Sequence, residues 1–94
     1  MEQRKIRKMA KAGSLESNDI LIMIAPGDGT IELDLESTVF KQYGEAIKEV
    51  ILTTLTDEGV RNAKVKAQDK GALDYTIKAR VKTCVMRGSS EYEL

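Results

Sequence analysis

The stretch ILIMIAPGDGTIELDLE, residues 20–36, is the main basis for predicting the fold from this sequence. Residues 20–25 form a short apolar run rich in isoleucine, which is typical of a strand covered on both faces. Residues 26–29, PGDG, are a turn sequence, and Asp-Gly is a strong hairpin signal. In residues 31–36 aliphatic and acidic side chains alternate, which directs the aliphatic ones to one face. The stretch therefore predicts an antiparallel hairpin.

A long amphipathic helix is predicted after this hairpin. Ser37 is expected to be its N-cap and Gly59 its C-terminal stop. Between them, apolar side chains recur at three- and four-residue steps, as on one face of a helix: Phe40, Tyr43, Ile47, Val50, Ile51 and Leu55.

A second hairpin is predicted beyond the helix. Residues 63–68 and 73–82 both alternate apolar and polar side chains, and the turn sequence DKG, residues 69–71, separates them. Residues 73–84 also contain apolar side chains at helical spacing, so a helix is the alternative. The unbroken alternation and the β-forming residues 75–77 favour the strand. Residues 82–88 are long enough for a short closing helix.

The resulting order ββαββ predicts an α+β fold, a two-layer sandwich in which one long helix crosses a face of an antiparallel sheet. A chain of 94 residues fits one domain with a modest core. We divide it into a basic, flexible arm over residues 1–18, a single α+β domain over residues 19–88 and a loose tail over residues 89–94.

The composition excludes several kinds of active site. There is no histidine, so the chain has no Ser-His-Asp triad, no Cys-His pair and no imidazole metal ligand. The formal net charge is zero, which argues against nucleic acid as the main partner. Apolar runs are far shorter than the ~20 residues of a membrane span, and a lone cysteine fits a reducing compartment. We therefore expect a cytoplasmic protein that is not itself an enzyme.

Three other features have two readings each. Asp34 and Glu36 point the same way from a strand, so they are either a solvated face or ligands for a hard cation, and we favour the solvated face. Cys84 has apolar neighbours in sequence, which favours a small buried residue over a reactive thiol. The N-terminal basic cluster is either a solvated tail or an attraction for a phosphate-bearing group or an acidic partner: Arg4, Lys5, Arg7, Lys8 and Lys11.

The segment GSLESND, residues 13–19, is the best candidate for chemistry. It is small and polar, and it leaves two serine hydroxyls, those of Ser14 and Ser17, open to a modifying enzyme. The alternative is a turn capped by its own polar side chains. Because the segment lies outside every periodic apolar run, we expect removal of the Ser14 hydroxyl to cost under about 0.5 kcal/mol.

The string AGSLESND, residues 12–19, resembles the signature of the citrate lyase acyl carrier proteins, the gamma chains of that complex. The acyl carrier subunit of malonate decarboxylase is similar and is kept as an alternative, as is a scaffold or regulatory module without enzymatic activity. The resemblance covers most of the chain after the arm and continues in four further segments: residues 31–33, 40–44, 69–73 (DKGAL) and 79–81.

The resemblance implies that Ser14 carries 2′-(5″-phosphoribosyl)-3′-dephospho-coenzyme A through a phosphodiester, with Gly13 providing flexibility beside it. The thiol of that group would hold acetyl and citryl thioesters. The implied partners are the alpha chain (acetate:citrate transferase), the beta chain (citryl lyase) and a prosthetic-group transferase. The partners would cleave citrate to acetate and oxaloacetate, and this chain would be their non-catalytic carrier, with no metal, nucleic acid or membrane involved.

Overall fold

The computed structural model describes residues 3–91, which form one mixed sheet and two helices. The strands lie in the order β1-β2-β4-β3, and both helices pack on one face of the sheet around a single core. The α+β class, with a long helix across one face and a helix at the C-terminal end, is confirmed. The elements are β1 Ala10–Gly13, β2 Ile20–Ala25, β3 Ile31–Ser37, α1 Phe40–Asp57, β4 Ala63–Asp69 and α2 Asp74–Ser89.

The core is built from side chains that alternate along the two central strands. Every second residue of β2, from Ile20 to Ile24, is buried under the helices, and the residues between them are half-buried on the opposite face. The apolar positions of β4 are all buried, and its lysines are exposed. The helices therefore cover one face of the sheet and leave the other open to solvent.

The predicted pairing of the first hairpin is wrong, although both of its strands exist. β4 lies between β2 and β3, antiparallel to the former and parallel to the latter. The turn sequence contacts the start of β4 instead, because the Gly29 amide donates to Asn62 Oδ1 at 2.7 Å and Lys64 Nζ lies 3.0 Å from Asp28. β4 has small apolar side chains, which fit the centre of the sheet. The local pattern of residues 20–36 does not indicate that another strand lies between β2 and β3.

The second predicted hairpin is also wrong, because residues 74–89 form helix α2. Its buried side chains recur at three- and four-residue steps: Ile77, Val81, Cys84, Val85 and Gly88. Three of the five apolar residues that produced the alternation are exposed to solvent, among them Leu73 at 59% and Tyr75 at 72%. The helical alternative was the correct one, and the short closing helix over residues 82–88 is its second half.

The predicted arm contains structure that the sequence did not indicate. Residues 10–13 form β1, an edge strand antiparallel to β2, and Ile6 is only 3% exposed in the core. The amides of Arg4 and Arg7 donate to the carbonyls of Gly59 and Gly88, at 2.7 and 2.8 Å, near the C-terminal ends of the two helices. Of the predicted tail, residues 92–94 lie outside the described residues.

One of the two predicted helix boundaries follows the expected mechanism. Gly59, with φ of 81°, follows the end of α1 and donates to the Thr56 carbonyl at 2.9 Å, as expected of a glycine stop. Ser37 is not the N-cap, because α1 begins without a side-chain cap and the Ser37 hydroxyl donates to Asp69 instead. Within residues 3–91, neither helix has the length and apolar character needed to cross a bilayer.

Candidate functional site

Ser14 is the first residue after β1 and begins the loop that leads to β2. Its side chain is half-buried, and its hydroxyl donates to Oδ2 of Asp19 at 2.7 Å. Oγ of Ser14 also accepts a hydrogen bond from the backbone amide of Glu16 at 3.2 Å. The Ser14 hydroxyl therefore has a defined direction, which the sequence had not predicted.

Asp19 is the centre of this cluster. Its side chain is 15% exposed, and Oδ1 accepts from the backbone amide of Ile20 at 2.7 Å. Arg80, from the middle of α2, donates to both carboxylate oxygens, through Nε to Oδ1 at 2.9 Å and through Nη2 to Oδ2 at 3.2 Å. This two-point contact is the strongest form of an arginine–carboxylate bond.

The charges of the pair fix the protonation of Asp19. The hydrogen bond from Arg80 lowers the pKa of Asp19 from 3.8 to about 2, against the opposing effect of burial, and the Ser14 hydroxyl adds to the lowering. The same contact raises the pKa of Arg80. At neutral pH Asp19 is thus ionised and orients the Ser14 hydroxyl as a hydrogen-bond acceptor. Its low pKa also makes it a very weak base, so it does not readily remove the proton of that hydroxyl.

The loop is tied to its neighbour by its own backbone. Asn18, with φ of 66°, donates its amide to the Lys70 carbonyl at 2.8 Å, and the Lys70 amide donates to the Asp19 carbonyl at 2.9 Å. These bonds hold the loop beside the segment DKGAL, residues 69–73. The two sequence strings that carry most of the family resemblance are therefore neighbours in space.

Gly13 meets a steric requirement in this structure. Its φ is 94°, in the left-handed region that favours glycine. A Cβ at this position would overlap the backbone carbonyl of Ile20 and would lie 3.3 Å from Cδ of Arg80. The sequence explained Gly13 by flexibility, whereas the geometry requires a residue without a side chain.

Ser17, the second candidate, lies in a different setting. It is exposed in the turn of the same loop, and no bond in the described part of the chain joins its hydroxyl to Asp19 or Arg80. Arg80 itself was not among the sequence candidates. The sequence predicts a strand at this position, and no local pattern indicates that the Arg80 side chain bonds a carboxylate 61 positions earlier in the chain.

The other candidate groups are not organised for chemistry. Cys84 is fully buried, its thiol donates to the carbonyls of Ala10 and Ile22 at 3.5 Å, and burial raises its pKa to about 11. The preferred interpretation of Cys84 as a buried apolar residue is confirmed. Asp34 and Glu36 are exposed on β3, and residues 3–91 contain no group of three acidic, cysteine or histidine side chains arranged for a metal.

Comparison with known proteins gives the family. The family model described as malonate decarboxylase delta subunit (MdcD), an acyl carrier protein (ACP) family, matches residues 7–88. The citrate lyase acyl carrier protein of Halothermothrix orenii is 44% identical over 89 residues, which cover 95% of both chains. Those of Lactiplantibacillus plantarum and Vibrio cholerae serotype O1 are each 54% identical, over 88% of this chain and 86% of theirs. This chain belongs to the citrate lyase acyl carrier protein family.

A solved structure shares the fold of this carrier protein family. A chain in the crystal structure of a Pseudomonas malonate decarboxylase hetero-tetramer in complex with malonate superposes with a TM-score of 0.74. The match covers 89% of this chain and 87% of the other, at 17% identity. At that identity the likeness concerns the fold alone. The family resemblance drawn from residues 12–19 and 69–73 is confirmed by the sequence relatives.

Proposed function

We propose that this chain is the acyl carrier subunit of citrate lyase and that Ser14 is the attachment point of its prosthetic group. One observation supports this assignment more than any other: in a chain of this family, the Ser14 hydroxyl is directed by an ionised carboxylate beside a guanidinium. Ser17 in the same loop has no such setting. The group proposed is 2′-(5″-phosphoribosyl)-3′-dephospho-coenzyme A, joined through a phosphodiester.

The residues around Ser14 fit such a group. The hydroxyl lies at the half-exposed start of a surface loop, the adjacent Leu15 is 52% exposed, and Arg80 supplies a cation near the position of a phosphodiester. When bound, the group supplies a thiol that carries an acyl chain as a thioester. Asp19 aligns the hydroxyl before attachment but does not take its proton readily at neutral pH, so we assign the base to the transferase that loads the chain.

The carrier domain delivers its cargo to other subunits. The chain has no histidine to act as a general base, and we assign the acyl chemistry to partner subunits. We assign these roles to the alpha chain, as acetate:citrate transferase, and the beta chain, as citryl lyase. The hetero-tetramer that contains the structural neighbour supports a place in an assembly of several subunits. A long attached group gives a high effective concentration at both partner sites.

The malonate decarboxylase carrier is the second candidate. The description of the family model and the structural neighbour both point to that enzyme. The citrate lyase relatives are favoured because they are 44–54% identical, against 17% for the structural neighbour. Reconstitution with alpha and beta chains decides between them, since a citrate lyase carrier restores citrate cleavage and a malonate decarboxylase carrier does not.

Intact-mass analysis and peptide mapping of protein from its native host test the attachment point. We expect one phosphodiester-linked adduct on Ser14 in the wild type and in Ser17→Ala, and none in Ser14→Ala. Ser17→Ala is the matched control because it also removes a serine hydroxyl from this loop. An adduct on Ser17 alone would overturn the assignment of Ser14.

A further inference from the structure

The bonds of Arg80 suggest what happens at Ser14 once it is loaded, an inference that rests on the proposed attachment at this residue. Oδ2 of Asp19 accepts from the Ser14 hydroxyl at 2.7 Å and from Nη2 of Arg80 at 3.2 Å. Since both atoms contact one oxygen, the hydroxyl and the guanidinium are separated by no more than two hydrogen-bond lengths. A phosphorus bonded to Ser14 Oγ would have its charged oxygens within reach of this guanidinium.

Loading removes the bond between Ser14 and Asp19. Attachment forms a bond from Oγ to phosphorus, breaks the bond from that phosphorus to the leaving group of an activated phosphoric anhydride donor, and releases the hydroxyl proton to the transferase or solvent. The resulting ester oxygen has no hydrogen to donate, and the phosphodiester adds a negative charge beside the Asp19 carboxylate. Two like charges at this separation repel each other, so the unloaded arrangement does not persist.

Arg80 is suited to receive the new anion. A guanidinium has five N–H donors, and the two bonds to Asp19 use two of them. The planar fork of arginine matches phosphate oxygens as well as it matches a carboxylate. The Arg80 side chain is 41% exposed, so an additional ligand reaches it without a large rearrangement of the helix.

We propose that Arg80 is the positioning residue for the phosphodiester: its guanidinium holds Asp19 before loading and binds the phosphodiester oxygens after loading. Ser14 then leaves Asp19, while Asp19 keeps its bond from the Ile20 amide. The phosphodiester that joins the group to Ser14 is thus held against α2 by Arg80 and does not move freely with the loop.

The test compares unloaded and loaded wild-type protein by NMR, after intact mass has established the adduct on Ser14. On loading, the Nε–Hε signal of Arg80 should shift, and the pKa of Asp19 should rise by about one unit because its cation is now shared. These readouts do not depend on lyase activity. If mass analysis finds no adduct on Ser14, the proposed function fails; if the adduct is present and both signals stay unchanged, only the role of Arg80 fails.

Variants of the loaded protein locate the cation. The phosphorus resonance of loaded Arg80→Gln should move away from that of the wild type, whereas Arg87→Gln should leave it unchanged. Arg87 is the matched control, since it lies on the same helix and donates to the Lys11 carbonyl. A phosphorus shift caused by Lys70→Gln and not by Arg80→Gln would overturn the proposal. Should Arg80→Gln fail to fold, the wild-type comparison alone decides.

Discussion

Two aspartates lie side by side at one end of the sheet and have different surroundings. Asp19 immediately precedes β2, and Asp69 is the last residue of β4. The Lys70 amide joins the two segments by its bond to the Asp19 carbonyl. Asp69 is 1% exposed, whereas the side chain of Asp19 is 15% exposed.

The two carboxylates differ in exposure, and they differ more in the hydrogen-bond donors that surround them. Among residues 3–91, the groups that donate to Asp69 are neutral: the Ser37 hydroxyl at 2.8 Å and the amides of Gly71 and Ala72, both at 3.0 Å. Asp19 accepts from a guanidinium and from the hydroxyl of Ser14. One carboxylate therefore closes a loop, and the other connects a charged side chain to the serine that we propose as the attachment point.

We infer from this contrast that Asp69 has a structural role and that Asp19 serves the proposed attachment site. Both occur in short strings that resemble the family pattern, residues 12–19 and 69–73, and the sequence assigned no role to either carboxylate. The presence of a cation, partial exposure and an adjacent hydroxyl distinguish Asp19, and all three are properties of the folded chain. Substitutions at the two positions should therefore have opposite profiles, a large stability cost at one and a large loading cost at the other.

Asp69→Asn should give the largest loss of stability. The amide nitrogen of asparagine is a donor, so at least one of the three donors that face Asp69 would lose its acceptor in a buried site. We expect the free energy of unfolding in urea to fall by about 3 kcal/mol. The fraction of Asp69→Asn that remains folded should still be loaded at Ser14. A loss below about 1 kcal/mol would contradict the structural role.

Asp19→Asn should cost less stability and more function. Replacing the carboxylate removes the ionic part of the contact with Arg80, which is partly exposed, so we expect a loss of about 1–2 kcal/mol at neutral pH. The rate of loading by the transferase should fall because the Ser14 hydroxyl loses its ionised acceptor. Time-resolved intact mass measures that rate, and Asp69→Asn serves as its control. Equal loading rates in the two variants would remove the distinction drawn between the carboxylates.

The pH dependence of stability gives an independent measure of the Asp19 contact. The pKa of Asp19 in the folded chain is about 2, below its ordinary 3.8, so the unfolded chain binds the proton first as the pH falls. The stabilisation is therefore complete above about pH 4 and is lost as the pH falls through about 2. The difference in unfolding free energy between wild type and Asp19→Asn should narrow by about 1–2 kcal/mol over this window. A constant difference would mean that ionisation of Asp19 does not stabilise the fold.

Ser14→Ala should have a smaller effect on stability and a complete effect on loading. From the sequence alone, the expected cost is under about 0.5 kcal/mol. The hydrogen bond to the ionised Asp19 raises this expectation to about 1 kcal/mol, reduced from the value for buried charged partners because the site is half-exposed. Ser17→Ala, at an exposed position, should stay within about 0.5 kcal/mol of wild type. Urea unfolding of the two variants side by side checks the difference.

The fold class followed from the sequence because it depends on local periodicity. The three-residue and four-residue steps of α1 and the glycine at position 59 are properties of one contiguous segment, and α1 was predicted well. The position of β4 between β2 and β3 depends on contacts across the whole chain, and local patterns do not contain that information. α2 was missed because exposed Leu73 and Tyr75 completed an alternation that its buried face does not follow.

The candidate site was predictable to the level of the loop. Residues 13–19 were selected from their small polar composition and family resemblance, and Ser14 was preferred over Ser17 by resemblance. The roles of Asp19 and Arg80 required the packing of α2 against β1 and β2. The sequence around a charged residue does not indicate which residue it pairs with, so Arg80 was not identified as part of the site.

The smallest predicted effect is a difference in amide hydrogen exchange within the first 19 residues of the unloaded wild type. A fully mobile arm predicts uniform fast exchange before Asp19. The structure instead predicts protection in β1, which pairs with β2, and at Asn18, which donates to Lys70. The amides of Leu15 and Ser17, in the exposed part of the loop, should exchange fast.

This pattern limits where movement arises in the carrier. If β1 and Asn18 are protected while Leu15 and Ser17 exchange fast, only a few residues around Ser14 move, and most of the reach comes from the attached group. Core amides of α1 and β4, such as those of Ile47, Val50 and Val65, provide the slow reference. Fast exchange throughout residues 10–19 would favour the flexible arm over an ordered strand. Slow exchange at Leu15 would mean that the anchor is rigid until loading breaks the bond between Ser14 and Asp19.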